Sequence, residues 1–156
     1  MGVDLPNHRI VHVGKSRETP IWLCTLDYVA AGFVDILSRA SPQELAGRLI
    51  GLNELRPTTL DIERAMTEHV GHSPQIGETT VEEMEKQAQA GRLDALVRKK
   101  MGDGTHTAVT AEEEVWQFDR PKMTLVELVQ RSPLEDPPYC PPNDDTRHFL
   151  DVFFEK

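Results

Sequence analysis

The sequence predicts an α/β fold, which on this chain alone amounts to a small α+β domain, and three observations support it. Residues 19–75 run strand, helix, strand, helix, with capping residues at the helix boundaries. A chain of 156 residues fits one domain that buries about two thirds of its unfolded surface. A hydrophobic fraction of 38%, interrupted by 11 prolines and 10 glycines, indicates that the core is modest.

The first part of the chain supplies two predicted strands and the longest apolar helix. Residues 9–13 predict a short strand, and residues 21–24 predict a second strand after a proline. Thr25 is a suitable N-cap for the helix that follows, and Asp27 adds favourable negative charge to its first turn. The apolar residues of this helix recur at helical spacing and predict one buried stripe: Leu26, Val29, Ala30, Phe33 and Leu37.

The next two helix starts carry capping boxes, in which the N-cap and the third helical residue bond each other's backbone. Residues 41–44, with the sequence Ser-Pro-Gln-Glu, predict a short helix with proline at its first position. Thr58 and Asp61 start a longer helix that Gly71 closes. Between the two, residues 48–52 predict a buried strand.

The second half of the chain is predicted to be mostly helical. A short extended piece at residues 75–79 precedes a polar helix over residues 81–90, which starts with a third capping box. A helix over residues 93–101 follows, and a fourth capping box of Thr124 and Glu127 starts the last one. The inward residues of the 93–101 helix are predicted to be Leu93, Leu96 and Val97, with Met101 as a further candidate.

Two segments are predicted to be irregular, and they set the domain boundaries. Residues 105–114 are acidic and predict a loop, and residues 133–145 hold five prolines without periodicity. We therefore divide the chain into a folded region at 1–132 and a Pro-rich irregular tail at 133–156. Near the end of this tail, residues 149–154 are apolar enough to dock as a small anchor.

Charge and composition exclude several classes of function. The net charge is −9 and the densest basic run is residues 98–100, so a face that neutralises nucleic-acid phosphates is not expected. The longest apolar stretch, residues 21–37, is interrupted by Asp27 and Asp35 and is not expected to span a membrane. Two cysteines do not make a disulfide framework, which favours a reducing, cytoplasmic setting.

A family resemblance begins at residues 25–31, with the sequence Thr-Leu-Asp-Tyr-Val-Ala-Ala. It resembles the strand-then-"D-x-V/I-A/G" step of the NmrA-like and isoflavone-reductase-like proteins, which are atypical short-chain dehydrogenases. The segment from Thr58 to Gly71 resembles the family's "T-x-x-E-x…G" element, with Asp61 in place of the usual glutamate. Residues 81–85 resemble the helix that comes next, and residues 124–127 resemble the "T-L-E-E" helix that ends the fold. The similarity covers about residues 10–131.

The resemblance implies the C-terminal part of a Rossmann-type NAD(P)-binding reductase with its substrate-side helices. It implies an NADPH cofactor, an aromatic small-molecule substrate and, as is common among fungal relatives, a role in secondary metabolism. The G-x-x-G-x-x-G phosphate loop does not occur in this sequence, and the family's catalytic lysine belongs to the N-terminal nucleotide-binding half that we expect to be absent. We therefore expect no cofactor to be bound by this chain alone.

No catalytic or metal-binding residue is predicted. Neither tyrosine has a lysine four residues later, no G-x-S-x-G elbow occurs, and the six histidines are expected to lie on the surface. Residues Met101, Trp116 and Phe118 are the candidates for the wall of a substrate pocket, with core packing as the alternative. Three functions remain as alternatives: the substrate-side portion of a reductase, a non-catalytic binding or regulatory module, and a small cofactor-free isomerase or cyclase.

The chain is also predicted to associate with itself or with a partner. If earlier strands of a parallel sheet are missing, residues 10–13, 21–24 and 49–52 are expected to lie at an exposed edge.

Overall fold

The computed structural model describes residues 2–105 and 115–131 together with Phe154. Over these residues the chain forms six α-helices and a three-stranded sheet, so the mixed α/β class, in its α+β form, is confirmed. The predicted acidic loop lies outside the described residues from 106 onward, as does the Pro-rich tail except for Phe154. In chain order the elements are β1 (Val3–Asp4), β2 (Arg9–Val13), α1 (Leu26–Arg39), α2 (Pro42–Leu45), α3 (Thr59–Val70), β3 (Gln75–Thr79), α4 (Val81–Gln89), α5 (Leu93–Asp103) and α6 (Leu125–Arg131).

The sheet has β2 as its middle strand. β1 pairs with β2 antiparallel, with Val3 opposite Ile10. β3 pairs with β2 in parallel, from Arg9 opposite Gln75 to Val13 opposite Thr79. Helices α1, α2 and α3 lie between these two parallel strands in the sequence, as a parallel connection requires.

Apolar clusters lie against both faces of β2, because successive side chains of a strand point in opposite directions. Ile10 packs with Ile21, with three residues of α3 and with Val129 of α6. Val11 and Val13 pack with Met84 of α4 and Ala95 of α5. Phe154 also packs against this second cluster, so the prediction that the end of the chain docks as an apolar anchor is confirmed for that residue.

The prediction that residues 10–13 lie at an exposed sheet edge is therefore wrong. Ile10 is fully buried, and Val11 and Val13 are nearly so. β1 and β3 occupy the two edges of β2, and the helices occupy its faces, so its backbone and side chains are both covered.

The predicted strands at residues 21–24 and 48–52 form single bridges instead of a ladder. Leu23 bridges Leu55 in an antiparallel sense, and Gly51 bridges Val115 in a parallel sense. The first segment pairs with the loop before α3, since Ile21 donates its N–H to the carbonyl of Pro57 at 2.7 Å. A run of apolar residues predicts extended backbone, but it does not specify how many other segments pair with that backbone through hydrogen bonds.

The predicted helix boundaries agree closely with the structure. Ser41, Thr58 and Thr124 each accept a hydrogen bond from the backbone of the third helical residue, whose carboxylate bonds back to the cap. Gly71 closes α3 in the left-handed conformation at φ 86°. Thr80 accepts from the N–H of Glu83, but the return bond from the Glu83 side chain is not formed, so the third predicted capping box is confirmed only in part.

The inward face of α5 differs from the prediction. Leu93, Leu96 and Val97 are exposed, whereas Ala95 and Arg98 are buried. Met101, the further candidate for this face, is buried as predicted. Arg98 donates to Asp94, one turn earlier, at 2.6 Å. The buried face of α5 thus includes an arginine that is only 2% exposed and paired with a carboxylate, whereas the apolar pattern predicted leucine and valine side chains there.

Candidate functional site

The residues predicted to line a pocket lie in two different surroundings. Met101 packs in the cluster of Ile10, Ile21 and α3. Trp116 and Phe118 lie against α1, where they contact Asp35 and Tyr28 respectively. The structure thus brings Trp116 and Phe118 to one helix and places Met101 in the core; that they bind a substrate stays a prediction.

A buried carboxylate fixes the N-terminus of α1. Glu54, which is 5% exposed, accepts hydrogen bonds from the N–H and the hydroxyl of Thr25 at 2.7 and 2.8 Å. Its second oxygen accepts from the N–H of Met123 at 3.2 Å. Thr25 in turn accepts from the N–H of Tyr28 and caps the helix. One side chain thus joins the start of α1 to the segment before α6.

The inner face of α1 is anchored by close packing. The Tyr28 ring packs against the Phe118 ring at a centroid distance of 4.7 Å. One turn later, Gly32 faces Leu52 so closely that an added Cβ would lie 2.7 Å from its methyl carbons. Glycine at this position lets the helix approach the 48–52 segment, which fixes how far α1 stands from the rest of the fold.

The C-terminal half of α1 is held by polar contacts on the same side. The indole N–H of Trp116 donates to Asp35 at 2.7 Å. Arg39 donates to the same carboxylate at 3.0 Å, and its guanidinium lies 5.6 Å from the centre of the Trp116 ring. These contacts, together with those of Thr25, Tyr28 and Gly32, set the rotation of the helix about its own axis.

This rotation turns the apolar stripe of α1 toward solvent. The exposed fractions are 78% for Leu26, 58% for Phe33, 66% for Val34 and 73% for Leu37, and Ala30 is exposed between them. The prediction of a buried stripe is therefore wrong for all but the half-buried Val29.

We call Leu26, Ala30, Phe33, Val34 and Leu37 the outer face of α1. The buried residues of the helix are instead Tyr28 and Gly32.

A second polar feature lies inside the protein, at the carboxyl end of β2. His12 is 3% exposed, so the expectation that all histidines lie on the surface is wrong for this one. Its Nδ1 lies 2.7 Å from the Thr59 hydroxyl, and its Nε2 lies 2.9 Å from a Glu63 oxygen. The Thr59 hydroxyl is 3.1 Å from that of Ser16, and Arg17 donates to Glu63 at 2.9 Å.

These groups form a hydrogen-bond chain with one consistent direction when the imidazole is neutral. The N–H of Val13 donates to the Ser16 hydroxyl, whose proton points to Thr59. Thr59 donates to Nδ1 of His12, and Nε2–H of His12 donates to Glu63. Burial lowers the pKa of the His12 imidazole from 6.5, although the hydrogen bond to Glu63 opposes this shift. Neutral histidine therefore satisfies each group in the chain.

The order hydroxyl, imidazole, carboxylate is the one that activates a nucleophile in many hydrolases. Here the hydroxyls are buried, with Ser16 1% and Thr59 6% exposed, and Ser16 accepts from backbone within its own loop. A reactant could not approach either oxygen without opening the loop. The chain of hydrogen bonds therefore ties β2, the loop after it and α3 together. A buried histidine of the kind an isomerase needs is present, but it is surrounded by polar partners.

His8 and His72 lie together, with ring centroids 4.7 Å apart, but their polar contacts are to backbone. His8 bonds the carbonyl of His72 at 2.9 Å, and Asp4 is engaged by Asn7 and Arg9. In the part of the chain that the structure describes, three or more His, Cys, Asp or Glu side chains nowhere gather in a way that could hold a metal ion.

Across residues 2–105 and 115–131, each helix is too short or too polar to cross a lipid bilayer. Comparison of the sequence with protein-family models and with curated proteins finds no match. The described residues thus form a small α+β fold in which one helix turns an apolar face to solvent.

Proposed function

We propose that this protein is a non-catalytic binding module that docks a helical protein segment on the outer face of α1. The observation that carries the proposal is the exposure of four large apolar side chains in one stripe of a well-anchored helix. A surface helix ordinarily turns such a stripe toward its own core, and contiguous exposed apolar surface marks interaction sites.

The anchoring of α1 favours binding because it removes an entropic cost. Thr25, Tyr28, Gly32 and Asp35 hold the inner face through capping, ring packing, close approach and a hydrogen bond. A partner does not have to order the helix before it binds, so the apolar contact is gained with less loss of freedom. The apolar residues lie at positions 26, 30, 33 and 37, a spacing of 4, 3 and 4 residues. This is the seam that an amphipathic helix packs against.

A designed peptide tests the proposal. The probe is an 18-residue amphipathic helix with leucine at a and d positions and mixed Lys and Glu elsewhere; the control peptide has the same composition with the apolar spacing scrambled. We expect NMR shift changes confined to α1 with the first peptide, at a dissociation constant of roughly 10–100 μM. We expect at least about tenfold weaker binding to the Phe33→Ser/Leu37→Ser variant.

A matched protein control distinguishes binding at this site from nonspecific hydrophobic binding. Val70 on α3 is also exposed, so Val70→Ser removes apolar surface elsewhere and should leave peptide binding unchanged. Equal binding of both peptides, or loss of binding in Val70→Ser, would refute a specific site on α1.

A second candidate function follows from the family resemblance, and the parallel β2–β3 pair favours it. Ligands of open α/β sheets bind beyond the carboxyl ends of parallel strands, where the N-terminus of α3 lies here beside the loop after β2. On this reading the chain is a cytoplasmic portion of a Rossmann-type reductase related to the NmrA-like proteins. Met101, Trp116 and Phe118 would contribute to the wall for an aromatic substrate, and NADPH would be the cofactor.

Titration with NADPH tests the second candidate. Trp22 and Trp116 report binding through fluorescence, and calorimetry gives an independent reading. Tight binding by the chain alone would overturn our expectation that the nucleotide site is missing. Turnover that requires an added nucleotide-binding fragment would support the reductase, and absence of both would leave the binding module as the better account.

A further inference from the structure

The outer face of α1 has a spacing that an identical helix can match. The positions 26, 30, 33 and 37 are symmetric about the midpoint between residues 30 and 33. An identical helix that runs antiparallel therefore places residue 26 opposite residue 37 and residue 30 opposite residue 33. We propose that the occupant is a second copy of this chain, bound through an antiparallel α1–α1 pair on a two-fold axis; this inference rests on the proposed docking function.

Side-chain volumes fit this register. Leu26 of each copy meets Leu37 of the other, so the ends of the seam pair leucine with leucine. At the centre, Phe33 of each copy meets Ala30 of the other, so a large ring lies over a small residue twice. Val34 falls opposite the half-buried Val29 and extends the apolar contact at its border. Alternation of large and small side chains is what lets two faces interdigitate.

Charge does not oppose the pairing despite the overall net charge of −9. The outer face carries no charged residue, and the flanking Asp27 falls opposite Ile36 rather than opposite a second carboxylate. The antiparallel arrangement also sets the positive end of each helix dipole beside the negative end of the other. A parallel pair would instead place Ala30 against Ala30 and Phe33 against Phe33.

The size of the face sets the strength of the dimer. A helix of 14 residues presents a strip about 21 Å long and roughly 10 Å wide. This is well below the ~800 Å² that each partner contributes to a standard stable interface. We therefore expect a weak dimer that forms at concentrations of roughly 10–100 μM.

Sedimentation velocity of the full chain from 5 to 500 μM, concentrations chosen on the order of this estimate, tests the inference. Ala30→Phe should overfill the centre of the seam, and Phe33→Ala should leave it empty. Each should weaken dimerisation by about tenfold or more. The Ala30→Phe/Phe33→Ala double variant exchanges the two residues and restores both Phe–Ala pairs, so it should return to within about threefold of the natural sequence. Both positions are exposed in the single chain, so folding should be preserved in all three variants.

The outcomes are distinct. Restoration in the double variant supports a second copy in this register, because another partner would not gain from the exchange. A chain that stays monomeric at the highest concentration, or a dimer that the single variants do not weaken, overturns the inference. If the chain is monomeric but binds the amphipathic peptide, the docking function stands and only the second copy is refuted.

Discussion

Replacement of Glu54 should loosen α1 at the point where the helix is fixed. The Glu54 carboxylate accepts three hydrogen bonds, two from Thr25 and one from Met123. Glu54→Ala leaves two backbone N–H groups without their acceptor, and each buried unsatisfied donor costs ~1–3 kcal/mol. Thr25 and Met123 are only half-buried, so water recovers part of this cost. We expect a loss of about 3 kcal/mol in the free energy of unfolding.

Glu54→Gln should cost less, about 1 kcal/mol, because the amide oxygen still accepts from Thr25 while its NH₂ faces the N–H of Met123. Urea denaturation followed by circular dichroism measures both values. In thermal unfolding the alanine variant should melt roughly 6–12 °C lower. Glu68→Ala is the control, since Glu68 is exposed on α3, and it should change stability by less than about 0.5 kcal/mol. A loss below about 1 kcal/mol for Glu54→Ala would refute the view that this carboxylate holds the helix.

Two further predictions concern the sheet and the chain of hydrogen bonds beneath it. Because the His12 pKa is lowered in the folded protein, the unfolded state binds more protons below pH 6.5, so this residue's contribution to stability is present above pH 6.5 and declines as the pH falls. Unfolding free energies measured between pH 7.5 and 5 should therefore fall less steeply in His12→Asn than in the natural sequence, and equal slopes would contradict a buried neutral imidazole. Gly102→Ala should lower the free energy of unfolding, measured by urea denaturation, by roughly 1–3 kcal/mol, because the added Cβ would lie 2.6 Å from Cγ1 of Val13. An unchanged or higher urea midpoint would mean that α5 does not approach β2 so closely.

Local features of the fold were predictable because their causes are local. The cap of Thr25, the capping box of Thr58 and the left-handed Gly71 each depend on residues within four positions. β2 was predicted at its observed bounds, Arg9–Val13, from its own five residues. Such signals need no knowledge of what the element packs against.

The orientation of α1 was not predictable in the same way. Its periodicity gives the position of the apolar stripe on the helix but not the surface that the stripe faces. The rotation is set by Trp116 and Phe118, which follow the helix by many residues, and by the carboxylate of Glu54. An apolar stripe that packs inside the protein and one that docks a partner have the same periodicity in the sequence.

The chain of hydrogen bonds around His12 was missed for a related reason. Its partners Thr59 and Glu63 lie 47 and 51 residues away in the sequence, so their spacing carries no motif. One usable signal was the place of His12 in a strand among the apolar residues Ile10, Val11 and Val13. A polar residue at such a position needs buried partners, and α3 supplies them.

The most direct test of the account is the solvent exposure of Phe33. With 4-fluorophenylalanine at that position, the ¹⁹F resonance reports contact with water through its shift between H₂O and D₂O. In dilute protein we predict a large solvent isotope shift, which should disappear when the amphipathic peptide is added. A small shift in dilute protein would show that the outer face of α1 is covered within the single chain, and it would contradict the proposed docking surface.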